Sequence, residues 1–121
     1  DRLFIVIDNE IAAAKNAGQT LQLLKKANYP ESKIDFIVNR AGDHFPMSDD
    51  VLLKTLTRSP YAKIPESDKV AEAINQGYDI VEKAPGDPYV EGVRKFLAAL
   101  VKEWTSRLSL CRNRRKPGAD F

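Results

Sequence analysis

The sequence predicts an α/β fold with a mostly parallel sheet of about three strands, flanked by helices in three layers. Three observations point there. Leu3 to Ile7 (LFIVI) and Ile34 to Val38 (IDFIV) are short, almost continuously apolar runs. A helical pattern separates them, and a third, shorter run, YAKI, stops at Pro65. Runs rich in Ile, Val and Phe without alternation fit strands covered on both faces, as in a parallel sheet between helices.

The first strand follows Asp1 closely, so the chain is expected to continue an architecture whose earlier part lies elsewhere. Ile11 to Ala27 reads as a helix with Ile11, Ala14, Leu21 and Leu24 on one face, and Asn28, Tyr29 and Pro30 end it. Gly18 within it costs about 1 kcal/mol relative to alanine. The second strand ends at Asn39 and Arg40, followed by the loop AGDHFPMSDD. Ser48 is placed to cap a short helix carrying Val51, Leu52, Leu53 and Leu56.

Pro65 forces Ile64 into an extended or turn conformation and so ends the third strand. Ser67 or Asp68 can cap a helix through Asn75 that Gly77 closes. The last helix is the clearest periodic signal: Val93, Phe96, Leu97, Leu100, Val101, Trp104 and Leu108 recur every three or four residues. Asp87-Pro88 supplies its cap and first-turn proline. Such a stripe normally faces a core, so Phe96 and Trp104 are expected to be core anchors. Past Leu110 the pattern dissolves into RNRRKPGADF. These elements describe a Rossmann-like half-domain over residues 1–110 and a basic tail, 111–121, expected to be disordered.

A length of 121 residues allows one domain with a real core, and 43% hydrophobic with 30% charged residues is ordinary for a globular protein. No apolar stretch approaches the roughly 18 residues needed to span a membrane, and no signal peptide is visible at Asp1. Cys111 is the single cysteine, which excludes an internal disulfide framework and suits a reducing compartment. The expected location is cytoplasmic, with the inner face of the membrane as one possible station. Lys102, Arg107, Arg112, Arg114, Arg115 and Lys116 against Glu103 give residues 102–116 a charge of +5, which leaves −3 for the remainder. Such a tail either solubilises the chain or meets phosphates of nucleic acid or anionic lipid.

In open α/β sheets ligands bind beyond the carboxyl ends of strands. Asn39 and Arg40 stand at such an end, where they either begin a site or merely open a loop. No glycine is followed by lysine, so there is no phosphate-cradling GxxxxGK[ST] loop. His44, the only histidine, has no cysteine or histidine at ligand spacing, which argues against zinc and for an exposed loop residue. Cys111 has basic neighbours but no histidine close in sequence to pair with as a nucleophile. Asp8 ends an apolar run as a metal-holding or phosphoacceptor-domain aspartate would. The end of the later strand is Asn39, however, and the intervals to Lys63 are too short for a receiver fold.

Taken together, DRLFIVIDNEIAAAKNAGQTLQLLKK, IDFIVNR and AKIPESDKVAEAINQGYDIVE resemble the C-terminal half of the MinD/ParA-type deviant Walker ATPases, most closely the CpaE/TadZ branch associated with pilus assembly. The resemblance covers about residues 1–101, and VNR at Val38 to Arg40 and the IP at Ile64-Pro65 are its most specific pieces. It implies ATP held at the sheet's carboxyl edge, sandwiched in a homodimer. Asn39 would contact adenine with Arg40 beside it, and Pro65 and Glu66 would wall the base. The family's phosphate loop and switch residues precede the position of Leu3, so ATP with magnesium is implied for a full-length parent only. This chain alone is expected to be inactive and to bind no nucleotide tightly. The implied partners are pilus or secretion assembly proteins. The alternative is a non-enzymatic docking or dimerisation module, with Arg112, Arg114, Arg115 and Lys116 meeting an anionic partner, a membrane surface or DNA.

Overall fold

The computed structural model describes residues 1–42 and 47–114, with side chains to Arg112 at the carboxyl end. His44, Arg115, Lys116 and the side chain of Arg114 lie outside the described residues. The chain runs β1 (Leu3–Asp8), α1 (Ile11–Lys26), a 3₁₀ turn (Glu31–Lys33), β2 (Ile34–Ala41), α2 (Asp49–Leu56), β3 (Ala62–Pro65), α3 (Asp68–Gln76), α4 (Ile80–Lys83) and α5 (Pro88–Arg114). The three strands form one parallel sheet in the order β1-β2-β3.

Strand parity divides the layers, because successive side chains point to opposite faces. Ile7, Ile34, Phe36 and Val38 join Ala14, Ala17 and Leu21 of α1 and Leu52 and Leu56 of α2 in one core. Gly18 is explained there, since a Cβ on it would stand 3.0 Å from the carbonyl oxygen of Thr55, where α1 and α2 approach. The opposite face carries Phe4, Asp35 and Ile37 toward α5. Phe4, Tyr61 and Phe96 meet edge to face with centroids 5.3–5.8 Å apart. The Arg2 guanidinium lies over the rings of Phe4 and Tyr61 and pairs with both Asp35 and Glu103, pinning the starts of β1 and β2 to α5.

The expected caps form. Ser48 accepts from the Val51 amide, Ser67 from the Lys69 amide, and Gly77 closes α3 at φ 70°. The sequence pattern did not mark α4, a single turn capped by Asp79. Helix α5 continues to Arg114, four residues beyond the expected end at Leu110.

Two expectations are corrected. Trp104 is not a core anchor: it is 66% exposed, with Val101 and Leu108 also exposed, while Phe96 is half-buried in the aromatic cluster. Length is the reason. At about 1.5 Å per residue a 27-residue helix is roughly 40 Å long, whereas a six-residue strand covers about 20 Å. The second half of α5 therefore overhangs the sheet. Likewise β1 is not covered on both faces, since Val6 is 60% exposed on the α5 side; among the described residues its strand partner is β2. Among the described residues no helix is long and apolar enough to cross a membrane.

Candidate functional site

The carboxyl edge of the sheet is shaped by an irregularity at the end of β2. Pairing with β3 runs regularly through Ile37 with Ala62 and Val38 with Lys63, then resumes at Ala41 with Pro65. One extra residue on β2 is absorbed as a bulge, and Arg40 takes the left-handed conformation, φ 54°. A non-glycine residue held there costs on the order of 1–3 kcal/mol, and such strain concentrates at functional edges.

The bulge aims Arg40 at the loop following β3. Its Nε and Nη2 donate to Glu66 Oε1 at 3.4 and 3.3 Å. Both partners are exposed, so the pair contributes at most about 1 kcal/mol and acts mainly to orient the loop. Beneath it the Glu66 amide donates to the Ala41 carbonyl at 3.4 Å. A Cβ on Gly42 would stand 2.8 Å from Glu66 Oε2, so only glycine leaves the carboxylate where it is.

Asn39 lies one residue before the bulge, half-buried and opposite Asp8 in the β1–β2 register. Parity puts it on the α5 side of the sheet with Ile37. Its carboxamide has no protein hydrogen-bond partner among the described residues. Pro65, half-buried at the end of β3, pairs with Ala41, two residues beyond Asn39. A Cβ on Gly92 would lie 2.5 Å from Pro65 Cδ, so the helix backbone rests directly against the proline ring.

Behind this wall sits a buried carboxylate. Asp87 Oδ2 accepts from the Ser67 hydroxyl at 2.8 Å, and Oδ1 accepts from the Tyr89 amide at 2.9 Å. Ser67 in turn caps α3. One side chain thus ties the turn after Pro65 to the start of α5, and it is only 9% exposed.

Asn39, Arg40, Pro65 and Glu66 therefore stand together at one edge, with Arg40 and Glu66 in contact. Arg112 does not belong to this cluster. It is exposed on the far part of α5, 20 residues beyond Gly92 and roughly 30 Å along the helix. Sequence reasoning missed the roles of Asp87 and Gly92. Asp87-Pro88 was legible as a cap but not as a tie to Ser67, while the signal for Gly92 was a lone glycine inside the strongest helical pattern. Among the described residues no group of three or more His, Cys, Asp or Glu side chains is placed to hold a metal ion.

Chemically this edge can read a flat, hydrogen-bonding ligand: an amide offering donor and acceptor, a rigid proline ring, and an ion pair closing the side. No family model and no curated protein matches the chain. Solved structures do. A ParA family ATPase from Chlorobium tepidum TLS is 29% identical over 77% of this chain and 38% of its own, with a TM-score of 0.68. The MinC:MinD cell division protein complex of Aquifex aeolicus matches at 21% identity over 84% of this chain and 43% of its own, TM-score 0.73. The septum site-determining protein MinD from Pyrococcus horikoshii OT3, complexed with Mg-ADP, matches at 22% over 77% of this chain and 39% of its own, TM-score 0.61. The fold is the one these ParA and MinD ATPases share, and this chain spans about two fifths of their length.

Proposed function

We propose that this chain is the adenine-side lobe of a MinD/ParA-like ATPase, one that, by its sequence likeness to the CpaE/TadZ branch, localises or assembles pilus or secretion machinery in the cytoplasm. One observation carries the nucleotide reading: on a ParA/MinD-like sheet, the bulge at Arg40 gathers Asn39, Arg40, Pro65 and Glu66 at the carboxyl edge. The Asn39 amide donates to a ring nitrogen of adenine while its carbonyl accepts from the exocyclic amine. The Pro65 ring packs on the face of the base. The Arg40–Glu66 pair holds the turn after Pro65 at the height that contact requires.

These residues bind and orient; none of them does chemistry. A bound ATP with Mg²⁺ supplies the phosphoryl group, and its triphosphate is met by residues outside this chain in the proposed parent, where a homodimer completes the site. In the polypeptide that the reading frame encodes, Asn39→Ala is expected to weaken ATP binding roughly 5- to 150-fold, the equivalent of two hydrogen bonds worth about 0.5–1.5 kcal/mol each, and to leave GTP binding unchanged. Equal loss for both nucleotides would remove Asn39 from base recognition.

The exposed apolar and basic residues of α5 favour a second reading, a docking module. It assigns Arg112, Arg114, Arg115 and Lys116 to an anionic partner. Replacing the four with glutamine should abolish co-sedimentation with vesicles of anionic lipid or with duplex DNA, and unchanged sedimentation would remove the tail from function.

A further inference from the structure

We propose that, within the nucleotide reading above on which this role rests, Asp87 is a positioning residue for the base. Through Ser67 it sets the height of the turn after Pro65 against Asn39, and so the discrimination between adenine and guanine.

The turn from Pro65 to Ser67 is held at both ends by the start of α5. At one end the Gly92 backbone bears on the proline ring, where an added Cβ would stand 2.5 Å from Pro65 Cδ and 3.7 Å from the Ile64 Cα. At the other end Asp87 Oδ2 accepts from the Ser67 hydroxyl at 2.8 Å. Asp87 is itself fixed to the helix that carries Gly92. Its Oδ1 accepts from the Tyr89 amide at 2.9 Å, and its backbone carbonyl accepts from the Glu91 amide at 3.0 Å. Two points on one rigid element thus bracket a turn of three residues.

The other ties on this turn are weaker. The Arg40–Glu66 pair is exposed at both partners and spans 3.3 Å, and the Glu66 amide reaches the Ala41 carbonyl only at 3.4 Å. The Asp87 bond is shorter and buried, and a carboxylate acceptor makes it roughly twice as strong as a neutral one. The Ser67 hydroxyl gives its single proton to Asp87 while its oxygen accepts from the Lys69 amide at 3.2 Å. Its orientation is therefore fixed from two sides. Packing on the Pro65 ring tolerates any purine, whereas bonds to Asn39 require the base edge to lie in line with the carboxamide. A turn that tilts keeps the packing and loses the alignment, so the loss falls on adenine.

Dissociation constants for ATP and GTP, with urea midpoints alongside, test this in the polypeptide that the reading frame encodes. The proteins compared are wild type, Asp87→Asn, Asn39→Ala and the double variant. Asp87→Asn keeps an acceptor for the Tyr89 amide, hence the helix cap, and weakens the bond to Ser67. ATP affinity is expected to fall roughly 2- to 30-fold in Asp87→Asn with GTP affinity unchanged. The double variant should bind ATP no more weakly than Asn39→Ala, because an edge without the carboxamide has no alignment left to lose. Ser67→Ala should reproduce Asp87→Asn, and Ser67→Thr, which retains the hydroxyl, should bind ATP as wild type does. An Asp87→Asn protein of lower stability with an unchanged ratio of ATP to GTP affinity, or a loss that adds in full to that of Asn39→Ala, would overturn the positioning role and leave the Asn39 reading intact. An Asn39→Ala protein that binds ATP like wild type would overturn the base reading and the role of Asp87 with it.

Discussion

Gly92→Ala probes the contact that fixes the base wall. In an exposed helix interior, replacing glycine by alanine stabilises by about 1 kcal/mol. At position 92 the new methyl would stand 2.5 Å from Pro65 Cδ and 3.7 Å from the Ile64 Cα, against a ring and a backbone atom rather than a flexible chain end. Relieving such an overlap by backbone shifts costs about 1–3 kcal/mol. The balance is a net change between roughly zero and a loss of 2 kcal/mol, in place of a gain. Urea unfolding of wild type, Gly92→Ala and Gly86→Ala measures it. Gly86 has nothing within 4 Å of its added methyl, so that control should be stabilised by about 0.4–1 kcal/mol. A full 1 kcal/mol of stabilisation in Gly92→Ala would refute the packing of α5 on Pro65 and, with it, the rigidity claimed for the wall.

Other perturbations separate the ties around this edge. Asp87→Ala strands the Ser67 hydroxyl and the Tyr89 amide and should cost about 1–3 kcal/mol, whereas Asp87→Asn, able to accept from one of them, should cost less; denaturant midpoints decide it. Arg2→Met removes the partner of Asp35 and Glu103 and is expected to lose about 1.5–3 kcal/mol, with most of that loss retained in high salt because the Arg2 side chain is only 16% exposed. Glu31 is held below the ordinary carboxyl range, chiefly by its hydrogen bond from Lys25 and further by the charges of Lys25 and Arg58. Its ionised form therefore favours the folded chain above the unfolded carboxyl's pKa, and that contribution disappears as pH falls through the lowered folded value. A stability gap between wild type and Glu31→Gln, measured from pH 7 down to 3, should close with acid; a gap independent of pH would contradict the assignment.

What was legible in the sequence were features with a local cause. Ser48, Ser67, Gly77 and Asp87-Pro88 announced helix ends because capping is a property of a few consecutive residues. The unalternating runs announced strands, and the abrupt change at Asn39 announced the edge of β2. The bulge at Arg40 left no such mark, since it arises from pairing with Ala62–Pro65, over twenty residues away in the chain. Nor could periodicity tell that Trp104 is exposed. A stripe states which residues share a face of α5, and only the length of the sheet beneath decides how much of that face is covered. The tie from Asp87 to Ser67 is likewise a tertiary fact with no signature in either segment.

The measurement closest to the central claim is a titration of isotopically labelled chain with adenosine, followed by amide resonances and run beside guanosine. The account predicts shifts confined to the Asn39 side-chain amide and the backbone amides of Arg40, Gly42 and Glu66, with adenosine and not with guanosine. Shifts clustered instead around Trp104, or no discrimination between the two nucleosides, would contradict it.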